Sequence, residues 1–128
     1  MLVEAKTAIL NGGDFLPATE VAHLAGFNST NLSAQPKNWK RNREIFAIRQ
    51  GRENYLPPYG LNPADHRPCR EMAQILKVFG AAKDGSGLAF WFAALNSFVD
   101  DERPKDVLAT DPERVIAAAK DEVAELEF

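Results

Sequence analysis

The chain has 128 residues, 45% of them hydrophobic and 26% charged, with a formal net charge of −3 and one cysteine. A chain of this size buries about two thirds of its surface on folding, so it needs no structural metal, and one thiol excludes a disulfide framework within the chain. No apolar run approaches the roughly 20 residues that cross a bilayer, and no basic segment leading into an apolar run opens the sequence. With Cys69 as a lone thiol, the expected location is the cytoplasm.

The charge is unevenly distributed. Between Pro36 and Tyr55 stand six basic residues (Lys37, Lys40, Arg41, Arg43, Arg49, Arg52) against two acidic ones, and from Leu61 onward thirteen acidic against eight basic. Such a split suggests a front that faces nucleic acid and an acidic back that meets something else; the plain alternative is two ordinary solvated faces.

Met1 to Leu10 reads as a short amphipathic helix around Val3, Ile9 and Leu10, stopped by Asn11-Gly12-Gly13. Leu16-Pro17 opens the next segment. Ala18 to Ala25 carries Val21 and Leu24 on one side, with Ala22 and Ala25 small enough for close helix contact, and Gly26 ends it. The polar run Ser29 to Gln35, capped by Asn28 or Ser29 and stopped by Pro36, then predicts a second helix. A helix with small residues, a glycine and a capped polar helix is the grammar of a helix-turn-helix; a plain helical hairpin has the same pattern. Ile45-Phe46-Ala47-Ile48 predicts a strand, Gln50 to Glu53 a turn containing Gly51, and Asn54-Tyr55-Leu56 a return strand cut short by Pro57-Pro58.

A helical pair followed by a basic hairpin has the outline of a winged helix. In that arrangement Ser29, Thr30, Asn31 and Gln35 offer donors and acceptors to base edges. Lys37, Lys40, Arg41, Arg43, Arg49 and Arg52 suit phosphate contacts, while Trp39 and Phe46 suit the core better than a stacking role.

Tyr59 to Pro68 is loop, the joint between two segments, 1–60 and 61–128, that share one core. Asp65, His66 and Cys69 are too few for a metal site, because His23 lies elsewhere, and no cofactor is expected. Arg70 to Phe79 forms an amphipathic helix through Met72, Ile75, Leu76 and Phe79, with Gly80 past its end, and Lys83 to Gly87 is a connector. Leu88, Trp91, Phe92, Leu95 and Phe98 line one helical face and mark a core helix. A charged elbow follows, in which Arg103-Pro104 and Asp111-Pro112 each set a proline where a helix begins, with Asp111 as N-cap. Val115, Ile116, Ala119, Val123 and Leu126 continue as the last helix. Glu122, Glu125 and Glu127 crowd its negative end, which predicts a frayed last turn ending in Leu126 and Phe128. No phosphate loop, nucleophile elbow or triad pattern occurs, and the carboxylates Asp100, Asp101 and Glu102 read as solvated, so the chain is expected not to be an enzyme.

The run LAFWF from Leu88, then Asn96, Arg103-Pro104-x-Asp106-x-Leu108 and Asp111-Pro112-Glu113-Arg114-Val115 with alanines behind it, resembles the toxin-binding domain of Xre/MbcA/ParS antitoxins across roughly Arg70 to Ala119. Sequences of that family often carry proline just before the asparagine and glycine before the Arg-Pro pair; Leu95 and Glu102 stand there instead. The resemblance implies a helical domain that dimerises and covers the active site of a RES-domain toxin, an enzyme that consumes NAD. Trp91 and Asn96 are then expected to contact the toxin, Arg103, Asp106 and Arg114 to contact it or to fix the elbow, and the frayed acidic tail with Leu126 and Phe128 to dock on a basic partner surface. The expected fold is mainly α within the α+β class: a helix-turn-helix with a β-hairpin wing, followed by the helical domain. Two rivals differ from it, an excisionase-like DNA-binding regulator with no toxin partner and a solitary interaction module.

Overall fold

The computed structural model describes residues 15–28 and 30–126. Among them are six α-helices and a three-stranded antiparallel sheet, an α+β fold. The helix expected near the N-terminus, Ser29, and the chain end with Glu127 and Phe128 lie outside the described residues.

Strand β1 (Leu16–Pro17) runs straight into helix α1 (Ala18–Leu24), which turns Ala18, Val21 and Ala22 inward. Gly26, at φ +89°, closes α1 with a Schellman motif: its amide donates to the His23 carbonyl and the Phe27 amide to that of Ala22. The second helix differs from expectation. Helix α2 spans Ala34–Arg41, so Pro36 lies in its first turn, where the missing amide costs nothing, instead of stopping a helix before it. Its N-cap is Ser33, with no side-chain cap, not Asn28 or Ser29. The connection between α1 and α2, residues 25–33, is longer than the roughly three- or four-residue turn of a helix-turn-helix.

Helix α2 ends in a second Schellman motif, with the Arg43 amide donating to Lys40 and the Glu44 amide to Trp39. Arg43 sits at φ +58°, a position usually given to glycine. Ile45, Phe46 and Ala47 are buried as expected of a core strand, yet only Ile48 of that run is paired, in β2 (Ile48–Gln50). The Ala47 carbonyl instead lies against Gly85. β2 turns through Gly51, at φ +64°, and Arg52 into β3 (Glu53–Leu56), the sign pattern of a type II′ turn. β3 is central: it pairs with β2 through Ile48 opposite Tyr55, and with β1 through Leu16 opposite Leu56. Pro17 is tolerated in β1 because that strand is an edge.

Helix α3 (Arg70–Phe79) appears where the spacing of Met72, Ile75, Leu76 and Phe79 predicts it, all four buried, with Gly80 at φ +54° past its end. The supposed connector begins helix α4 (Gly85–Ala93) early, since the Asp84 side chain caps it by accepting the Gly87 amide at 2.8 Å. Helix α5 (Pro104–Val107) and helix α6 (Pro112–Leu126) each start at a proline, as predicted. α6 lies along α3, its Val115, Ala118 and Ala119 buried, and Lys83 pairs with Glu122 at 3.0 Å.

One core joins the two segments. The Phe46 ring stacks on Phe92 at 5.8 Å and 11°, Tyr59 meets the same Phe92 ring at 5.1 Å, and Trp91 sits edge-on to Phe79 at 5.0 Å. Ile45, Ile48 and Leu56 from the front join Met72, Ile75 and Val115 from the back in a single cluster. No helix among the described residues is long and apolar enough to cross a membrane.

Candidate functional site

The densest chemistry lies at the elbow between α4 and α6. Helix α4 stops at Ala93, because Ala94 turns extended at φ −87° and ψ 150°. The helical register that would carry Leu95 and Phe98 into the core is therefore lost, and both are exposed, Leu95 at 65% and Phe98 at 43%. This corrects their expected core placement.

Beyond Leu95 the backbone knots itself. The Asn96 side chain accepts the Phe98 amide at 2.8 Å and starts a single 3-10 turn, Ser97–Val99. Asp100 and Asp101 follow at φ +60° and +63°, and the Glu102 amide donates to the Val99 carbonyl at 3.2 Å, forming a turn with two left-handed residues. Asn96 and Glu102 bridge across its base, the Asn96 amide donating to the Glu102 carbonyl at 2.9 Å. Aspartate tolerates this conformation better than most side chains, which accounts for two aspartates where glycine is usual.

The two arginines expected here are both turned to the knot. Arg103 donates from Nε to the Ala93 carbonyl at 3.0 Å, satisfying the negative end of α4. Arg114 pairs through Nη1 with Asp100 Oδ2 at 2.8 Å and so ties α6 to the turn. Both partners of that ion pair are exposed, which limits it to about 0–1 kcal/mol. Asp111 accepts the Arg114 amide at 3.4 Å as the N-cap of α6. Asp106 is exposed in the first turn of α5. Trp91 is only 7% exposed and packs edge-on against Phe79 and Phe92 in the core. Its Nε1 is buried without a hydrogen-bond partner. Phe128 lies outside the described residues.

The basic candidates divide. Gln35, Lys37, Lys40 and Arg41 are exposed on α2, and Thr30 and Asn31 are exposed in the loop before it; the Asn31 Oδ1 accepts the Ser33 hydroxyl at 3.0 Å. Ser29 is outside the described residues. Arg49 and Arg52 are exposed on the hairpin, with Arg49 Nε donating to the Gly51 carbonyl at 3.2 Å. Arg43 is engaged elsewhere, its Nη2 donating to the carbonyls of Leu76, at 3.2 Å, and Gly80, at 2.7 Å, at the end of α3. With that nitrogen it caps α3.

Arg67 was not anticipated. Its guanidinium lies over the Phe27 ring at 4.8 Å and donates to the Ala25 carbonyl at 3.5 Å, pinning the loop of residues 61–68 to the end of α1. Only the lone aromatic after Gly26 hinted at a partner. Beside that loop a cleft of about 350 Å³ opens between Pro58, Tyr59, Leu61 and Ala109. Cys69 lines the adjoining space, and burial pushes its thiol above the ordinary value, opposed by hydrogen bonding from the Met72 backbone. Among the described residues, no three His, Cys, Asp or Glu side chains gather to hold a metal. Compared with protein-family models, with curated proteins and with solved structures, the chain matches none.

Proposed function

We propose that the chain is a non-catalytic antitoxin whose helical half binds and neutralises a RES-domain, NAD-consuming toxin, and whose basic front represses its own operon as a winged helix-turn-helix-like module in a cytoplasmic homodimer. One observation carries the toxin reading. Of the residues that give the resemblance, Asn96, Arg103, Asp111 and Arg114 make the hydrogen bonds and the ion pair of the elbow, and Asp106 is exposed beside them in sequence. Leu108 and Val115 of the same pattern are buried, and Arg103 bonds the end of α4 while Arg114 pairs with Asp100 at the surface. A sequence pattern that builds a rigid exposed feature suits recognition, because little freedom remains to be lost on binding.

The test is co-expression with the product of an adjacent reading frame that encodes a RES domain, followed by co-purification and an assay of cellular NAD. Retained NAD and a stable complex are expected. A neighbouring toxin left unbound and lethal, or no such frame beside the gene, defeats the reading.

The rival, an excisionase-like DNA-binding regulator without a toxin, is favoured by the exposed Lys37, Lys40, Arg41, Arg49 and Arg52. Duplex binding measured against salt addresses both the rival and the operator role, since phosphate contacts make affinity fall steeply as salt rises. No binding at low salt removes DNA from the proposal and leaves the toxin in it.

A further inference from the structure

Beside the knot, three large apolar side chains stand in water: Phe90 at 41%, Leu95 at 65% and Phe98 at 43% exposed. Phe90 is exposed on the last turn of α4, whose C-cap is the exposed Ala94, and Leu95 and Phe98 follow within the next four residues of chain, on either side of Asn96. Exposed apolar side chains this close along the chain mark a contact surface more often than scattered ones do.

The rim is acidic. Residues 100–114 hold six carboxylates against three basic side chains. Arg103 is bonded to the Ala93 carbonyl and Arg114 is paired with Asp100, while Asp101, Glu102, Asp106, Asp111 and Glu113 are exposed.

We propose that this face docks a protein surface with an apolar centre and a basic rim; resting on the antitoxin reading above, it is where the toxin seats. The same carboxylates repel phosphate backbones and anionic lipid headgroups. A second copy docking by the same face about a two-fold axis sets acid against acid. A basic heterologous partner is the occupant that both the charge and the apolar centre favour. The turn is already closed by backbone hydrogen bonds, with Arg103 bonded to the end of α4, so binding orders little that is not ordered beforehand.

The purified full chain is titrated with the RES-domain protein of the adjacent reading frame at two salt concentrations. Leu95→Asp is expected to weaken binding about 30-fold or more, as loss of a central apolar anchor does. Glu102→Lys is expected to slow association and flatten its salt dependence, and Leu24→Ser, at an exposed apolar position on α1, to change nothing. Phe98→Ser serves as the second variant should Leu95→Asp melt lower than the parent chain. No binding by the parent chain defeats the antitoxin reading and this inference with it. Parent-strength binding by both apolar variants defeats the inference alone. A Leu95→Asp chain that sediments as monomer from a dimeric parent, with toxin binding kept, assigns the face to a second copy and overturns it too.

Discussion

Gly85 and Gly87 stand two residues apart at the start of α4, and replacing each by alanine separates helix propensity from packing. On propensity alone both changes favour the helix, by about 0.5–1 kcal/mol at most. At Gly85 a Cβ would lie 2.1 Å from the Ala47 carbonyl oxygen and 3.1 Å from its carbon. That is more than about 1 Å inside a favourable contact, and the obstacle is backbone in a buried segment, which cannot rotate away as a side chain does. Forcing such a shift in a packed interior costs about 1–3 kcal/mol, so Gly85→Ala is expected to destabilise by about 1–2 kcal/mol net. For a domain of this size that lowers Tm by about 4–8 °C. At Gly87 the nearest atoms are Asp84 Oδ1 at 3.3 Å and Lys83 Cβ at 3.4 Å, both on side chains, so Gly87→Ala should stay within about 2 °C of the parent. Thermal unfolding followed by circular dichroism measures both. A Gly85→Ala chain melting at or above the parent, or an equal fall at Gly87, refutes the claim that α4 is seated on the Ala47 carbonyl.

Trp91→Ala is expected to cost about 3–5 kcal/mol in urea unfolding because the indole is buried against Phe79 and Phe92; an unchanged midpoint removes it from the core. Arg43→Ala should be less stable than Arg43→Gly by about 1 kcal/mol, since both lose the cap on α3 but only glycine relieves the left-handed backbone, and the opposite order contradicts that account. The Cys69 thiol, raised by burial, should alkylate more slowly with iodoacetamide at pH 8 in the native chain than in urea. Because the unfolded chain loses that proton at a lower pH, the thiol should also subtract stability as pH rises past its unfolded value, and stability that climbs through that range counts against it. If the hairpin touches DNA, Arg49→Ala and Arg52→Ala should each reduce the slope of log K against log salt by about 1, with sequence preference kept.

Where one rule governed a segment, the sequence was legible. The three-and-four spacing and trailing glycine give α3 its full span, and the two prolines give α5 and α6 their first residues, because these signals act locally. The turn at Gly51 and the return strand are legible, but of the expected first strand only Ile48 is paired, and Arg49 and Gln50 complete β2 instead. Errors arose where two rules competed. Pro36 stops a helix that precedes it and suits the first turn of one that follows, and spacing alone does not choose. Leu95 and Phe98 share the periodicity of Trp91, but the period ceases to apply once Ala94 leaves the helix. At the site, the proline-started elbow and its arginines were legible as residues. Their partners were not, because the Ala93 carbonyl and the Asp100 carboxylate come within reach only after the chain folds back through the turn. Arg43 was hidden most completely, since nothing in a basic run marks one member as the residue that reverses the backbone.

That residue has a consequence for anyone who would graft or trim this protein. Arg43 finishes one helix with its main chain and closes another with its guanidinium, across the line dividing residues 1–60 from 61–128. Cutting there would strip α3 of its terminal donor and leave Phe92 without the ring stacked on it, so neither fragment is a portable cassette. The basic front or the acidic back in isolation would be a wounded molecule, and single substitutions in the undivided 128-residue chain are the instrument the architecture calls for.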